Sequence, residues 1–375
     1  MGNPTNDSAL AGERIIGLDF LRILSMLMVI LLHILGQGGI LDGTVSGSKH
    51  YYLAWALECI CYCAVDCYGL LSGYLSAARK RYRHSKIVLL WLEVVFYSVA
   101  YACVFRLISH EYAGKRELLN ALFPVMRRQY WYFTAFFALS LFAPIIHGGM
   151  RSITARTARL MAALLVFVFC VLPTFFCTDP FHLRGGYSAL WLIVLYALGL
   201  LLNKSGILKR IAPGWLASAF FLCTALTFLL TVVFPVSIPR LGTLSPLNYT
   251  SPTVLLSAVS LLFLLRRLEV RSSKLRQLLG RLSGASFGVY ILHTNPLVWT
   301  FWFRPGVLKG FADAPVWAFP LLAVGAAAAV YLLCFAVDSV RAWVFQKLRL
   351  RSRLEKWEES VLRMPDPAEN SEKAE

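Results

Sequence analysis

The sequence predicts an all-α integral membrane protein with about ten transmembrane helices and both termini in the cytoplasm. Three observations carry this. The 375-residue chain is 58% hydrophobic with a mean hydropathy of +0.63, and only 15% of it is charged. A soluble domain would be nearer half apolar and about a quarter charged. The apolar runs are long and continuous rather than alternating, which selects helices over a barrel. The basic residues, finally, gather in alternate linkers, as they do in a helical bundle that crosses a bilayer.

The runs fall near 15–35, 51–75, 87–108, 130–147, 160–176, 188–202, 214–234, 251–265, 285–303 and 316–338. Each is long enough to cross a core of roughly 30 Å directly or with tilt; the sixth and eighth are the shortest. With the N-terminus inside, 26 of the 37 Lys and Arg lie in inside segments and nine in outside loops, while Arg22 and Arg106 lie within spans. That bias sets the orientation. It also accounts for the net charge of +17 without a nucleic-acid partner.

Residues 1–14 are polar, and the first apolar run has no small-residue cleavage site behind it, so it reads as a retained span. The spans, 15–338, form one domain with no internal repeat. Residues 339–375 begin basic and end acidic. Their first half reads as an amphipathic helix on the anionic cytoplasmic leaflet, and their end as disordered. The nine cysteines show no metal-ligand spacing. Cys59, Cys61, Cys63 and Cys67 fall within an apolar helix, where cysteine acts as a small hydrophobe. No metal is expected.

The first span carries the groups a bilayer most resists: Asp19, Arg22 and His33. Eleven residues of α-helix make three turns plus about 20°, which puts Arg22 and His33 on one face roughly 16 Å apart. An intramembrane ionisable group points to function by default. Imidazole is the natural general base at neutral pH. Arg22 needs an anion, and Asp19, three residues earlier, is a helical neighbour. Arg22 can equally meet a phosphate or a developing oxyanion.

The second span adds Glu58 and Asp66, either able to orient His33, then Tyr68, Ser72, Gly73 and Tyr74. Ser72 has no GxSxG context that would make it a nucleophile. The basic run at 79–86, with Arg83 and Lys86, is a topology signal that also suits the phosphates of a cytosolic nucleotide-like cofactor. Glu93 lies in the third span. Trp131 and Tyr132 open the fourth, as an interfacial aromatic belt or a platform for a sugar face. His293, followed by Asn295 and Pro296, is a second intramembrane histidine.

With these motifs the chain resembles the membrane-bound acyltransferases of the acyltransferase-3 type, which include bacterial O-acetyltransferases of surface polysaccharides. The matching features are LDFLR with ten residues between Arg22 and His33, VDCYGLLSGYL with Ser72-Gly73-Tyr74, Arg83-x-x-Lys86, YWYFTAFFALSLFAP, and SFGVYILH ending at His293. They run through residues 15–338. The resemblance implies transfer of an acetyl group from cytosolic acetyl-CoA to a hydroxyl of a glycan or lipid-linked sugar at the bacterial cytoplasmic membrane. His33 would be the essential catalytic residue and Arg22 a donor-site or catalytic support, while Asp66 and Glu58 remain, from the residues alone, the carboxylates able to orient His33. Arg83 and Lys86 fall at the family's basic motif, with Ser72 and Tyr74 on the donor side. Lys86 stands where many members carry a second Arg. Trp131, Tyr132, Glu93 and His293 are candidates for the acceptor side. The esterase-like or racemase domain attached in some members is not expected in this chain. The rival reading is a transporter or flippase using the same ionisable groups as a path. Against it, the sequence shows no inverted repeat and no matched pair of broken helices. An inactive membrane module is a third reading, which the Arg22–His33 pair argues against.

Overall fold

The computed structural model describes residues 14–79, 83–108, 114–150, 152–238, 242–303 and 306–362. Lys80, Arg81 and the acidic end of the tail, 363–375, lie outside the described residues. Helices account for nearly all the regular structure. A two-residue antiparallel pairing of Ser237–Ile238 with Gly242–Thr243 is the exception.

The helices are α1 (Ile16–Leu35), α2 (Lys49–Cys61), α3 (Ala64–Ser76), α4 (Ser85–Ile108), α5 (Trp131–Gly149), α6 (Ala155–Phe175, with a π turn over Phe167–Val171), α7 (Ala189–Ser205), α8 (Pro213–Phe228, ending in a π turn over Leu229–Val233), α9 (Pro252–Leu265), α10 (Ser273–His293), α11 (Ala318–Lys347) and α12 (Leu350–Leu362). Among the described residues, seven helical segments are long and apolar enough to cross a membrane, counting α2 and α3 as one; α7 and α9 are shorter apolar helices. The chain is a multi-pass membrane protein.

Four expected boundaries shift. The second span is two helices that meet at Tyr62–Cys63. The ninth starts twelve residues early, at Ser273, capped by the Ser272 hydroxyl accepting from the Leu275 N–H. Its first turns carry Lys274, Arg276 and Arg281, so they do not read as apolar. It stops at His293 because Pro296 bars a continuing helix. Spans two and nine are therefore both interrupted, although the sequence suggested no broken pair. The tenth runs on to Lys347, because Arg341 is not at a helix end. Arg341 is neutralised inside the bundle by Asp338 (2.7 Å) and Glu93 (3.2 Å).

Around α1 pack α2, α3, α9, α10 and α11. It is buried along most of its length, whereas α6, α8 and α11 expose large apolar side chains such as Leu160, Phe221 and Leu333. Those faces suit lipid, and α1 is the axis. Close approach of α3 and α7 depends on small residues, as it does between membrane helices generally. Gly73 lies against the Tyr196 backbone, and Gly199 against the Leu70 carbonyl. A side chain at Gly73 must push the two helices apart. Gly73→Val is therefore expected to lose stably inserted protein, whereas Gly148→Ala, which faces open space, is expected to accumulate normally. Quantifying detergent-extractable, monodisperse protein checks this.

The tail helix α12 folds back on the start of α4 rather than lying free. Glu355 pairs with Arg83 (3.0 Å), and Glu358 accepts the backbone N–H groups of His84 (2.6 Å) and Ser85 (3.2 Å). A carboxylate at a helix N-terminus is favoured by the dipole and the unpaired amides. Burial would raise the Glu358 carboxyl, but the bonds from Ser85 and His84 outweigh it and hold the group below the usual carboxylate range. A depressed folded value adds stability above the unfolded value that is lost as pH falls through the folded one. Acidification should therefore release α12, and Glu358→Gln should weaken docking already at neutral pH. Spin-label distances between α12 and α4 measure both.

Candidate active site

A cavity of about 640 Å³ opens between α1, α2–α3, α5 and α10. Both Arg22 and His33 line it, as their common helix face requires. Arg22 occupies one end. Its Nη1 donates to the Ser283 hydroxyl (2.7 Å) and pairs with Asp19 Oδ1 (3.3 Å), while Ser283 Oγ donates to the same carboxylate oxygen (2.8 Å). Arg14 holds the other oxygen of Asp19 at 2.5 Å. The Tyr68 hydroxyl donates to the Arg22 carbonyl (2.7 Å). Arg22 is thus a fixed cation with its guanidinium at the cavity wall.

His33 is paired with His293. His293 Nδ1 lies 2.7 Å from the Val289 carbonyl, which can only accept, so this nitrogen carries the proton. In the neutral ring, Nε2 of His293 is then an acceptor. It lies 3.0 Å from Nδ1 of His33, which must be the donor. Among the described residues, one nitrogen of the pair is left with a free lone pair: Nε2 of His33, on the cavity-lining ring. Trp299 packs its ring against His33 (5.0 Å between centroids) and donates its indole N–H to the His293 carbonyl (3.0 Å). Together these contacts fix ring orientation and tautomer.

Neither carboxylate expected beside His33 is bonded to it. Asp66 is fully buried and accepts from the Trp191 indole N–H at 3.0 Å. Glu58 lines the cavity, but its Oε2 has no hydrogen-bond partner among the described residues. His293 holds the position the sequence offered to a carboxylate.

The remaining candidates divide. Ser72 lines the cavity and donates back to the Tyr68 carbonyl (2.8 Å). Trp131 and Tyr132 line it as well. Tyr74 packs instead against Phe263 and under Arg266, outside the cavity. Glu93 is turned to Arg341 and Asp338, where the Tyr97 hydroxyl also donates (2.7 Å). That buried cluster joins α4 to α11 and does not reach the cavity. Arg83 and Lys86 are exposed at the end of the bundle where α12 docks.

Several cavity residues carry no signal at sequence level. Ser283, Ser286 and Tyr290 are ordinary helix residues until α10 brings them to α1, and Tyr187 and Tyr249 come from separate loops.

A family model described as an acyltransferase domain matches residues 15–338. No curated protein and no solved structure matches the chain. The matched region takes in α1 to α10, all the residues that line the cavity, and most of α11. The chain belongs to the acyltransferase-3 family and is a membrane acyltransferase.

Proposed function

We propose that the protein is an O-acyltransferase that moves an acetyl group from cytosolic acetyl-CoA to a hydroxyl of a cell-surface glycan or its lipid-linked precursor. The observation that carries this is the cavity itself, with a fixed cation at one end and an imidazole bearing a free lone pair farther along. With the basic linkers in the cytoplasm, Arg22 lies towards the donor and His33 towards the acceptor.

His33 Nε2 takes the proton of the acceptor hydroxyl as its oxygen attacks the thioester carbonyl. The new C–O bond forms, the C–S bond breaks, and the sulfur leaves with the proton that the imidazole returns. His293 is a positioning residue: it accepts from Nδ1 and keeps Nε2 open. Arg22 provides positive potential where charge develops on the carbonyl oxygen. The apolar walls limit loss of the thioester to water. Arg83 and Lys86 suit the CoA phosphates. Arg83 now holds Glu355, so phosphate binding there would exchange one anion for another. Arg22, Ser72 and Leu90 line the cavity between that face and His33.

The interrupted second and ninth spans, which both border the cavity, are the one observation that favours a transporter. Purified protein separates the readings. The enzyme should bind acetyl-CoA, and Arg83→Ala with Lys86→Ala should weaken that binding. A transporter should show no saturable acetyl-CoA binding.

A further inference from the structure

Away from Arg22, the cavity ends in a group of aromatic rings beside one carboxylate. Tyr62 and Tyr249 stack at 4.7 Å with 25° between planes, Tyr187 lies 5.1 Å from Tyr249, and Trp131 lies 4.6 Å from Tyr187. Tyr187 is 47% exposed, so this is the mouth. Glu58, one helical turn before Tyr62, is only 9% exposed. It is the one carboxylate among the described residues that line the cavity. The cavity's one Arg or Lys, Arg22, is already held by Asp19 and Ser283.

A carboxylate is costly to bury unless something donates to it or neutralises it. Asp19 has Arg14 and Arg22, Glu93 and Asp338 share Arg341, and Asp66 has Trp191 on Oδ1, while its unpartnered Oδ2 belongs to a residue that does not line the cavity. Glu58 Oε2 has no such partner among the described residues, and Glu58 lines a space large enough for a ligand. The rings beside it present π faces and edges of the kind that stabilise a cation. A purely neutral ligand would use the aromatic wall but leave the carboxylate's charge uncompensated.

We propose that Glu58, with Tyr62, Tyr187, Tyr249 and Trp131, forms an acceptor subsite for a positively charged amine, so that the preferred acceptor carries an ammonium group besides the hydroxyl that is acylated. This rests on the acyltransferase reading and narrows its acceptor class. The amine is a handle and not the nucleophile. Paired with Glu58 it keeps its proton and has no lone pair to attack, so the ester forms on oxygen and the amine stays free.

The test uses the full chain in lipid nanodiscs and two probes of nearly equal shape, octyl β-glucosaminide and octyl β-glucoside. They differ by an ammonium in place of one hydroxyl. Binding is measured at neutral pH, where most of the amine is protonated and added acid does not neutralise the Glu58 carboxylate. The wild-type protein should bind the glucosaminide about tenfold more tightly. Glu58→Gln, which keeps shape and removes charge, should erase the difference. Tyr249→Leu should reduce it. Equal binding of the two probes by the wild-type protein overturns the proposal, and so does a preference that persists unchanged in Glu58→Gln. Because the readout is binding, it stands apart from the reaction. Acetyl transfer to both probes without preference would sink the subsite and leave the enzyme. An ammonium preference without His33-dependent transfer would sink the enzyme reading and leave the subsite.

Discussion

Replacing His33 by alanine is expected to lower acyl transfer by roughly 10²–10⁴-fold, the usual contribution of a positioned general base. The bundle should survive the change. His33 is only partly buried, and its main polar contact is the single bond to His293. Binding of acetyl-CoA should change little, because Arg22 is about three turns away and the proposed phosphate contacts, Arg83 and Lys86, lie at the end of the bundle where α12 docks. The loss should therefore appear in kcat with KM for the donor nearly constant. The measurement is a steady-state comparison on protein shown to be inserted and monodisperse. Normal turnover by His33→Ala would remove His33 from the chemistry.

The second large effect is expected at His293, which the sequence offered as an acceptor-side residue and the fold places behind His33. His293→Leu takes away the acceptor for His33 Nδ1–H. A buried donor without a partner costs about 1–3 kcal/mol. The ring can avoid that cost by rotating or changing tautomer, and either removes the lone pair from the cavity. Turnover should fall by about ten- to a hundredfold. His293→Gln should restore much of it, since an amide oxygen can accept from the same N–H. A residue that only fills space would give the reverse order, with the leucine variant at least as active as the glutamine one.

Much of the frame was legible because the bilayer writes it into the sequence. Ten apolar runs correspond to helices, and Arg22 and His33 share a face because eleven steps of a regular helix require it. The pairing of His33 with His293 was not legible. The two lie 260 positions apart, and no local pattern says that α10 returns beside α1. The carboxylates misled for the same reason. Asp66 is near His33 in chain order, but its side of α3 faces α7, where Trp191 waits. The start of α10 was hidden by Lys274, Arg276 and Arg281, which lower the hydropathy of turns that are helical all the same. Charge that is cancelled at long range, as at Arg341 with Glu93, likewise looks like a helix end until the partner is seen.

Donor and acceptor are proposed to meet at His33 from opposite ends of one cavity, and sealed membrane vesicles with the Arg83 face outward give the deciding experiment. Radiolabelled acetyl-CoA is supplied outside, and label is followed into alkali-labile esters on glycan. Ester-linked label is expected with the wild-type protein and none above background with His33→Ala. Equal labelling by the two proteins, or label entering only when acetyl-CoA is supplied at the opposite face, would contradict it.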